Sequence, residues 1–472
     1  MISMTLAEVA SAVGGTLADA DPQAVITGPV EYDTRRELSG GLFVAFPGAN
    51  VDGHDYAAKA VAGGAVAVLG TRPVPGVPMV LVEDALPALG RLARAVLDRL
   101  PQLTVVAITG SSGKTSTKDM IGQVLSRLGP TVAPPGTFNN ELGLPHTALM
   151  ADEQTRFLVL EMGSRGLGHL TYLCQIAPPK IGIVINVGVA HLGEFGSVEK
   201  IAEAKGELVE ALPADGLAIL NADDPLVAAM AARTSARVVG VGVSPEAQVR
   251  AVDVILDAAG RPAYTLICPE GETAVRLRVA GAHQVGNSLA AAAVALHAGM
   301  SVTECGEALS ALGAVSSRRM DVFDRADGVT VIDDSYNANP ASTAAALHAL
   351  AAMGHAPGGA ARRTVAVLGY HAELGDHERS GHEDVGRLAA ETGVKLLVVV
   401  GDTAAPIHDG AVAVSQWGGD SVQVSEQDEA VALLRERLRP GDIVLVKGSR
   451  YRTWQVADAL RAPGQTTGEA VA

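Results

Sequence analysis

The chain has 472 residues, too many for one compact core, and its 48% hydrophobic and 19% charged residues are not the composition of a disordered chain. Aromatic residues reach only 3% and the formal net charge is −16, which argues against nucleic acid or an anionic membrane surface as partner. A phosphate-bearing ligand would therefore depend on local cations, metal ions and backbone N–H groups, which is feasible because salt screens the global repulsion over about 8–10 Å.

Met1-Ile2-Ser3-Met4-Thr5 lacks a basic leader segment, and no apolar run approaches the roughly 20 residues that span a bilayer. Cys174, Cys268 and Cys305 are far apart and form no CxxC pair, so neither a disulfide framework nor a zinc site is indicated. A cytoplasmic protein is expected, without membrane insertion.

Residues 1–84 read as a small α/β domain, with an amphipathic helix over 5–13 and brief strands such as Leu42-Phe43-Val44-Ala45-Phe46. Gly and Pro punctuate it heavily, as in Pro73-Val74-Pro75-Gly76-Val77-Pro78. Residues 85–318 turn to a β–α–β texture. Val105-Val106-Ala107-Ile108, Phe157-Leu158-Val159-Leu160 and Ile181-Gly182-Ile183-Val184-Ile185 are continuous apolar runs, as strands buried on both faces of a parallel sheet read. A helix is predicted over 197–212. Residues 319–472 repeat the alternation with strands at 329–332, 365–368, 396–400 and 443–446, a second open sheet with Rossmann-like topology. Ala356-Pro357-Gly358-Gly359-Ala360 is predicted as a loop inside it.

The strongest local signal is Thr109-Gly110-Ser111-Ser112-Gly113-Lys114-Thr115, directly after a buried strand and before a helix. Glycines let the backbone curl so that N–H groups face phosphate oxygens, and the helix N-terminus adds its positive end. Lys114 would reach the β- and γ-phosphates and the Thr115 hydroxyl would meet Mg²⁺. Ile108 stands where the strict phosphate-loop pattern has its first glycine. Glu161 and His191 follow the ends of later strands, where open α/β sheets bind ligands, and could hold Mg²⁺; a loop cap and a surface histidine are the plainer alternatives. Lys205 has Val209 four residues on rather than an acid, so spacing alone assigns it no role. In Asp333-Asp334-Ser335-Tyr336-Asn337-Ala338-Asn339-Pro340, Asn339 suits a helix N-cap and Pro340 the first turn. That string is equally a strand–turn–helix joint or a nucleotide-binding edge.

Residues 109–115, Gly281-Ala282-His283-Gln284-Val285-Gly286-Asn287 and residues 334–340 together resemble the Mur ligase family. The Tyr-Asn-Ala-Asn-Pro string is similar to that of the members that add D-alanyl-D-alanine. Asp33-Thr34-Arg35, Asp52-Gly53-His54-Asp55, residues 136–145 and Lys447-Gly448-Ser449-Arg450 continue the resemblance in order along nearly the whole chain. It implies a UDP-sugar domain (1–84), a central phosphate-loop domain (85–318) and a C-terminal domain (319–472) that closes on ATP and binds the dipeptide. The implied reaction joins D-alanyl-D-alanine to UDP-N-acetylmuramoyl-tripeptide through an acyl phosphate, releasing ADP and phosphate, on a monomer.

The resemblance also implies site residues. Gly110, Ser111, Ser112, Gly113, Lys114, Thr115, Asn287, Arg319, Asp334, Asn337 and Asn339 would surround ATP, with Arg318 the alternative to Arg319 as phosphate contact. Two Mg²⁺ are implied, with Thr115 and Glu161 at the first. His191 and Lys205 would serve the second, Lys205 as a carbamate formed with CO₂. Lys114, Lys205, His191 and Arg319 would carry the chemistry, and Thr34, Arg35, Asp52, Gly53, His54, Asn139 and Asn140 the UDP substrate. Thr137 stands where many relatives have Asn, and Tyr370-His371 where an acid–Met pair is usual, which touches the dipeptide side. The competing readings are a third-residue-adding member, a folylpolyglutamate synthetase-like enzyme, or a nucleotide switch without ligase activity.

Overall fold

The fold comes from a computed structural model, which describes residues 1–48, 51–188, 192–355, 361–449 and 452–461. The loop predicted at 356–360 lies outside them. Thr5 caps the helix Leu6–Val13 through a capping box with Glu8, so the chain is turned by its own side chains within the first few residues. The first open sheet runs in the order Thr16–Ala18, Met79–Leu81, Ala67–Gly70, Leu42–Val44, Val30–Glu31, antiparallel only at the Thr16–Ala18 edge.

The helix Ala85–Leu97 ties this region to the next. Its apolar stripe, including Leu89, Leu92 and Val96, belongs to one core that extends from Val9 and Val44 to Leu144, Leu160 and Leu173. Burying this stripe on both sides leaves the first and central sheets joined by a continuous apolar seam.

The central sheet has nine strands among the described residues, with Thr104–Thr109 between Ile181–Val184 and Phe157–Glu161. All three pair in parallel, and their register brings Glu161 opposite Ile108 and Val184 opposite Thr109 at the carboxyl edge. Their side chains are almost wholly buried, as their unbroken apolar runs predict, because helices cover both faces. Val249–Leu256, Pro262–Cys268 and Gly271–Arg276 form an antiparallel wing absent from the reading of the sequence. Pro262–Cys268 alternates buried with half-buried residues, so the wing buries one face only and its signal has period two.

The third sheet runs Asp321–Asp324, Thr330–Asp333, Ile443–Lys447, Thr364–Leu368, Leu396–Val400, Asp420–Val424, parallel except for its first pair. Separate apolar cores cover its two faces. Asn339 caps the helix Pro340–Gly354, with Pro340 at its start. Among the described residues no helix is long and apolar enough to cross a membrane.

Candidate active site

A cavity of about 600 Å³ lies where the carboxyl edge of the central sheet faces the third sheet. The phosphate loop forms its floor. Gly113 is the left-handed residue (φ 83°) that precedes the helix Lys114–Leu125, and a Cβ there would stand 2.8 Å from Asn287 Oδ1. No side chain caps that helix, so its N-terminal N–H groups and dipole open toward the cavity. The N–H groups of Ser111 and Ser112 are already engaged, because Asn186 Oδ1 accepts from both at 2.9 and 3.0 Å. Asn186 follows the strand Ile181–Val184 and fixes the loop from the side; no local pattern marked it.

The Lys114 ammonium donates to the Gly110 carbonyl at 2.7 Å, folded back over the loop. Burial lowers its pKa below the usual lysine range, the Glu161 carboxylate opposes this, and Arg319 adds to it. Glu161 ends its strand, and its two oxygens are shared: Oε2 accepts from the Thr115 hydroxyl and Oε1 from Asn139 Nδ2, each at 2.8 Å. Thr115 Oγ1 also meets Thr137 Oγ1 at 3.1 Å. Arg319 reaches across from the C-terminal side, its Nη2 3.2 Å from both threonine hydroxyls and its guanidinium 4.1 Å above the Tyr336 ring. Arg318 turns the other way, pairing with Asp458 and lying over Trp454. Geometry thus separates two neighbouring arginines that the sequence could not.

Asn287 is buried beneath the loop, accepting from the Thr117 hydroxyl at 3.1 Å and donating to Gln284 at 2.9 Å. Opposite, Asp334 Oδ2 pairs with the buried Lys447 ammonium at 2.5 Å, and Lys447 also donates to the Asn337 carbonyl at 3.0 Å. Burial lowers the Lys447 pKa and the adjoining Asp334 opposes it. Asn337 Oδ1 accepts from the Ala338 N–H, and Asn339 caps its helix by accepting from Ser342 N–H. Asp334, Asn337 and Asn339 all line the cavity, so the strand–turn–helix joint and the cavity wall are the same residues.

Lys205 sits in the helix Val198–Glu210, 4% exposed and outside the cavity lining. Desolvation, helped by the nearby Lys114 charge, pushes its pKa down to about 7. His191 and Arg450 lie outside the described residues. Among those described, no three His, Cys, Asp or Glu side chains form a metal-holding group. Thr115 and Glu161 are hard oxygen donors of the kind Mg²⁺ prefers.

The first-region residues do not join this cavity. Arg35 is exposed and forks onto Asp33, holding that carboxyl down to about 2; Thr34 lies half-buried between them. His54 is buried, with Nδ1 2.6 Å from Asp52 Oδ1 and Nε2 accepting from Thr71 N–H at 2.9 Å. Gly53 opens the short turn that Asp52 caps. Asn139 and Asn140 do line the cavity, and Asn140 Oδ1 also takes the N–H of Gly143 at 2.8 Å, starting the helix Gly143–Ala148.

Three family models match consecutive stretches: the Mur ligase family catalytic domain at 29–96, the Mur ligase middle domain at 108–295 and the Mur ligase glutamate ligase domain at 318–450. A UDP-N-acetylmuramoyl-tripeptide–D-alanyl-D-alanine ligase of Mycobacterium bovis is 50% identical over 98% of either chain. The crystal structure of MurF from Acinetobacter baumannii superposes with a TM-score of 0.86 at 32% identity, covering 97% of this chain and 99% of its own. MurF ligase from Thermotoga maritima in complex with ADP gives a TM-score of 0.78 at 28% identity, over 92% of this chain and 97% of its own. The chain belongs to the Mur ligase family.

Proposed function

We propose that the chain is an ATP-dependent ligase that adds D-alanyl-D-alanine to UDP-N-acetylmuramoyl-tripeptide in peptidoglycan synthesis. The observation that carries this reading is convergence. Lys114, Thr115 and Glu161 from the central sheet and Arg319 from the C-terminal side meet at the open N-terminus of one helix. The activity of the Mycobacterium bovis relative supplies the substrates, and the ADP complex of the Thermotoga maritima relative supplies the nucleotide.

The reaction begins with one anion approaching another. The terminal carboxylate of the tripeptide attacks the γ-phosphorus of ATP, a P–O bond to ADP breaks, and an acyl phosphate forms. The amine of D-alanyl-D-alanine then attacks the acyl carbon, loses a proton, and expels phosphate. Lys114 and Arg319 flank the phosphate end of the cavity and offset charge where it develops. Tyr336 beneath the Arg319 guanidinium keeps it aimed. Because Arg319 comes from beyond the central sheet, the charge clamp is complete only while the two sheets stay together, as the Arg319–Thr115 contact has them.

Thr115 and Glu161 would hold one Mg²⁺, their oxygens 2.8 Å apart and both residues in the cavity lining. Mg²⁺ bound there would neutralise phosphate charge and orient the transferred group. A second ion at Lys205 and His191 requires Lys205 as a carbamate, since an ammonium repels a cation. A lysine pKa near 7 supports that, because only the neutral amine adds to CO₂. Asp334, Asn337 and Asn339 would face the nucleotide, and Arg35 with Thr34 the UDP moiety. The protein would act as a monomer in the cytoplasm.

The test is amine-dependent phosphate release measured against a panel of UDP-muramoyl peptides and dipeptides. Turnover should rise sharply only when UDP-N-acetylmuramoyl-tripeptide and D-alanyl-D-alanine are both present. Equal turnover with ATP alone, or a preference for a single amino acid as acceptor, would overturn the reading.

A further inference from the structure

The chain crosses from the central to the third sheet at residues 313–320, and this crossing delivers Arg319. The phosphate-loop helix Lys114–Leu125 grips it at two points. Gln123 Nε2 donates to the Gly313 carbonyl at 3.1 Å while its Oε1 accepts from the Gly313 N–H at 3.0 Å. One turn earlier, Asp119 Oδ2 accepts from the Ser316 N–H at 3.1 Å. Lys118, buried beside it, pairs with Asp119 at 2.9 Å and donates to the carbonyls of Pro134 and Gly136. Ser316 Oγ closes the circuit by accepting from the Gly136 N–H at 2.9 Å. The crossing and the loop that carries Thr137 are therefore bound to each other and to one helix.

The other side of the crossing is held by the third sheet. Met320 N–H donates to Asp334 Oδ1 at 3.1 Å, and Tyr336 N–H donates to the Arg318 carbonyl at 3.3 Å. Between the two anchorages, Arg318 (φ 59°) and Met320 (φ 52°) adopt the left-handed region on either side of Arg319. Side chains with a Cβ avoid that region, and it persists where the surroundings over-determine the backbone. The strain therefore flanks Arg319, the residue that the third-sheet side sends toward the phosphate loop.

We infer that Ser316, pinned between Asp119 and Gly136, is a positioning residue that sets the approach of Arg319 to the phosphate end of the cavity. This rests on the ATP-dependent ligase reading above. Ser316 lies outside the cavity lining, so its influence runs through Arg319 rather than through contact with substrate.

The test is a kinetic cycle on the full chain. Ser316→Ala removes the acceptor of the Gly136 N–H and should lower kcat by about tenfold while leaving the KM for ATP within about twofold, since the phosphate loop is untouched. Ser316→Thr keeps the hydroxyl and should restore most of kcat. In an Arg319→Ala background the same Ser316→Ala change should cost less than about twofold, because the group it positions is gone. An equal loss in both backgrounds, or a lowered Tm with unchanged kcat, would overturn the inference. If Ser316→Ala does not fold, Gln123→Ala loosens the crossing from its outer end, with an expected loss of about threefold and the same non-additivity. Additive losses there would overturn it too. A wild-type chain that releases no phosphate with its substrates would instead defeat the ligase reading itself.

Discussion

Two polar regions of this molecule look alike as strings of residues and behave oppositely in space. At the phosphate loop, groups from four separate stretches turn inward on a shared point: Thr115, Thr137, Glu161 and Arg319 are linked by contacts of 2.8–3.2 Å. In the first region the polar groups named for the UDP substrate are taken up by partners outside the cavity. Arg35 folds onto Asp33, two residues away, and His54 is tied to Asp52 and to the backbone of Thr71. Chemistry draws on the first arrangement, because groups that converge from separate stretches can act together on one ligand. A local pair does not bar substrate contact, but it makes that contact an exchange of partners. The first region should therefore affect binding, and the phosphate loop the reaction itself.

The largest expected effect breaks the phosphate edge. Lys114→Ala should lower kcat by about 10²–10³, the usual size for removing one preorganised charge donor, while thermal stability changes little. Single-turnover ADP release checks it, and loss confined to KM would contradict a role in the transferred charge.

Lys205→Ala comes next, with an expected loss of about 10² in kcat and partial recovery by formate filling the vacated ligand position. Isotope-labelled bicarbonate should label the wild-type protein at this lysine and leave the variant blank. The pH dependence has a definite sign. The folded pKa of about 7 lies below the ordinary lysine value of 10.5, so the unfolded chain binds more protons between them. Stability contributed by this residue therefore rises with pH across that window and is absent below its folded pKa. Carbamate formation should rise with pH through the same region. A flat labelling profile between about pH 6 and 8 would sink the link to this pKa.

The first region gives the smaller effects. Arg35→Ala should raise the KM for the UDP substrate by about tenfold and leave that for ATP nearly unchanged. A matching rise for ATP would erase the contrast between the regions. His54→Ala should mainly reduce stability, by about 1–3 kcal/mol, because the Thr71 N–H loses its acceptor. Chemical denaturation beside kinetics separates this from a direct ligand role: a large KM change in a fully stable variant would restore His54 to the substrate.

Much of the fold was legible because its signals are local. The unbroken apolar runs marked the buried parallel strands, Asn339-Pro340 marked a helix start, and residues 109–115 marked the phosphate loop within seven positions. The antiparallel wing at 249–276 has no unbroken apolar run: its middle strand alternates and its outer strands are largely exposed along part of their length. Within the cavity, Asn186 went unread: an asparagine after a strand has no signature until the loop 75 positions earlier lies against it.

Sequence alone determined the three-region order and the family, because both rest on short motifs whose backbone and side-chain requirements are met within a few residues. It also determined that a charge of −16 must be answered locally wherever phosphates bind. Only the tertiary structure decided which arginine serves the cavity. Arg318 and Arg319 are chemically identical, and left-handed φ angles on both sides of Arg319, held by contacts 14 to 197 residues distant, turn one inward and the other toward Asp458. Side-chain direction at such a position is set by distant partners, and no local pattern encodes them.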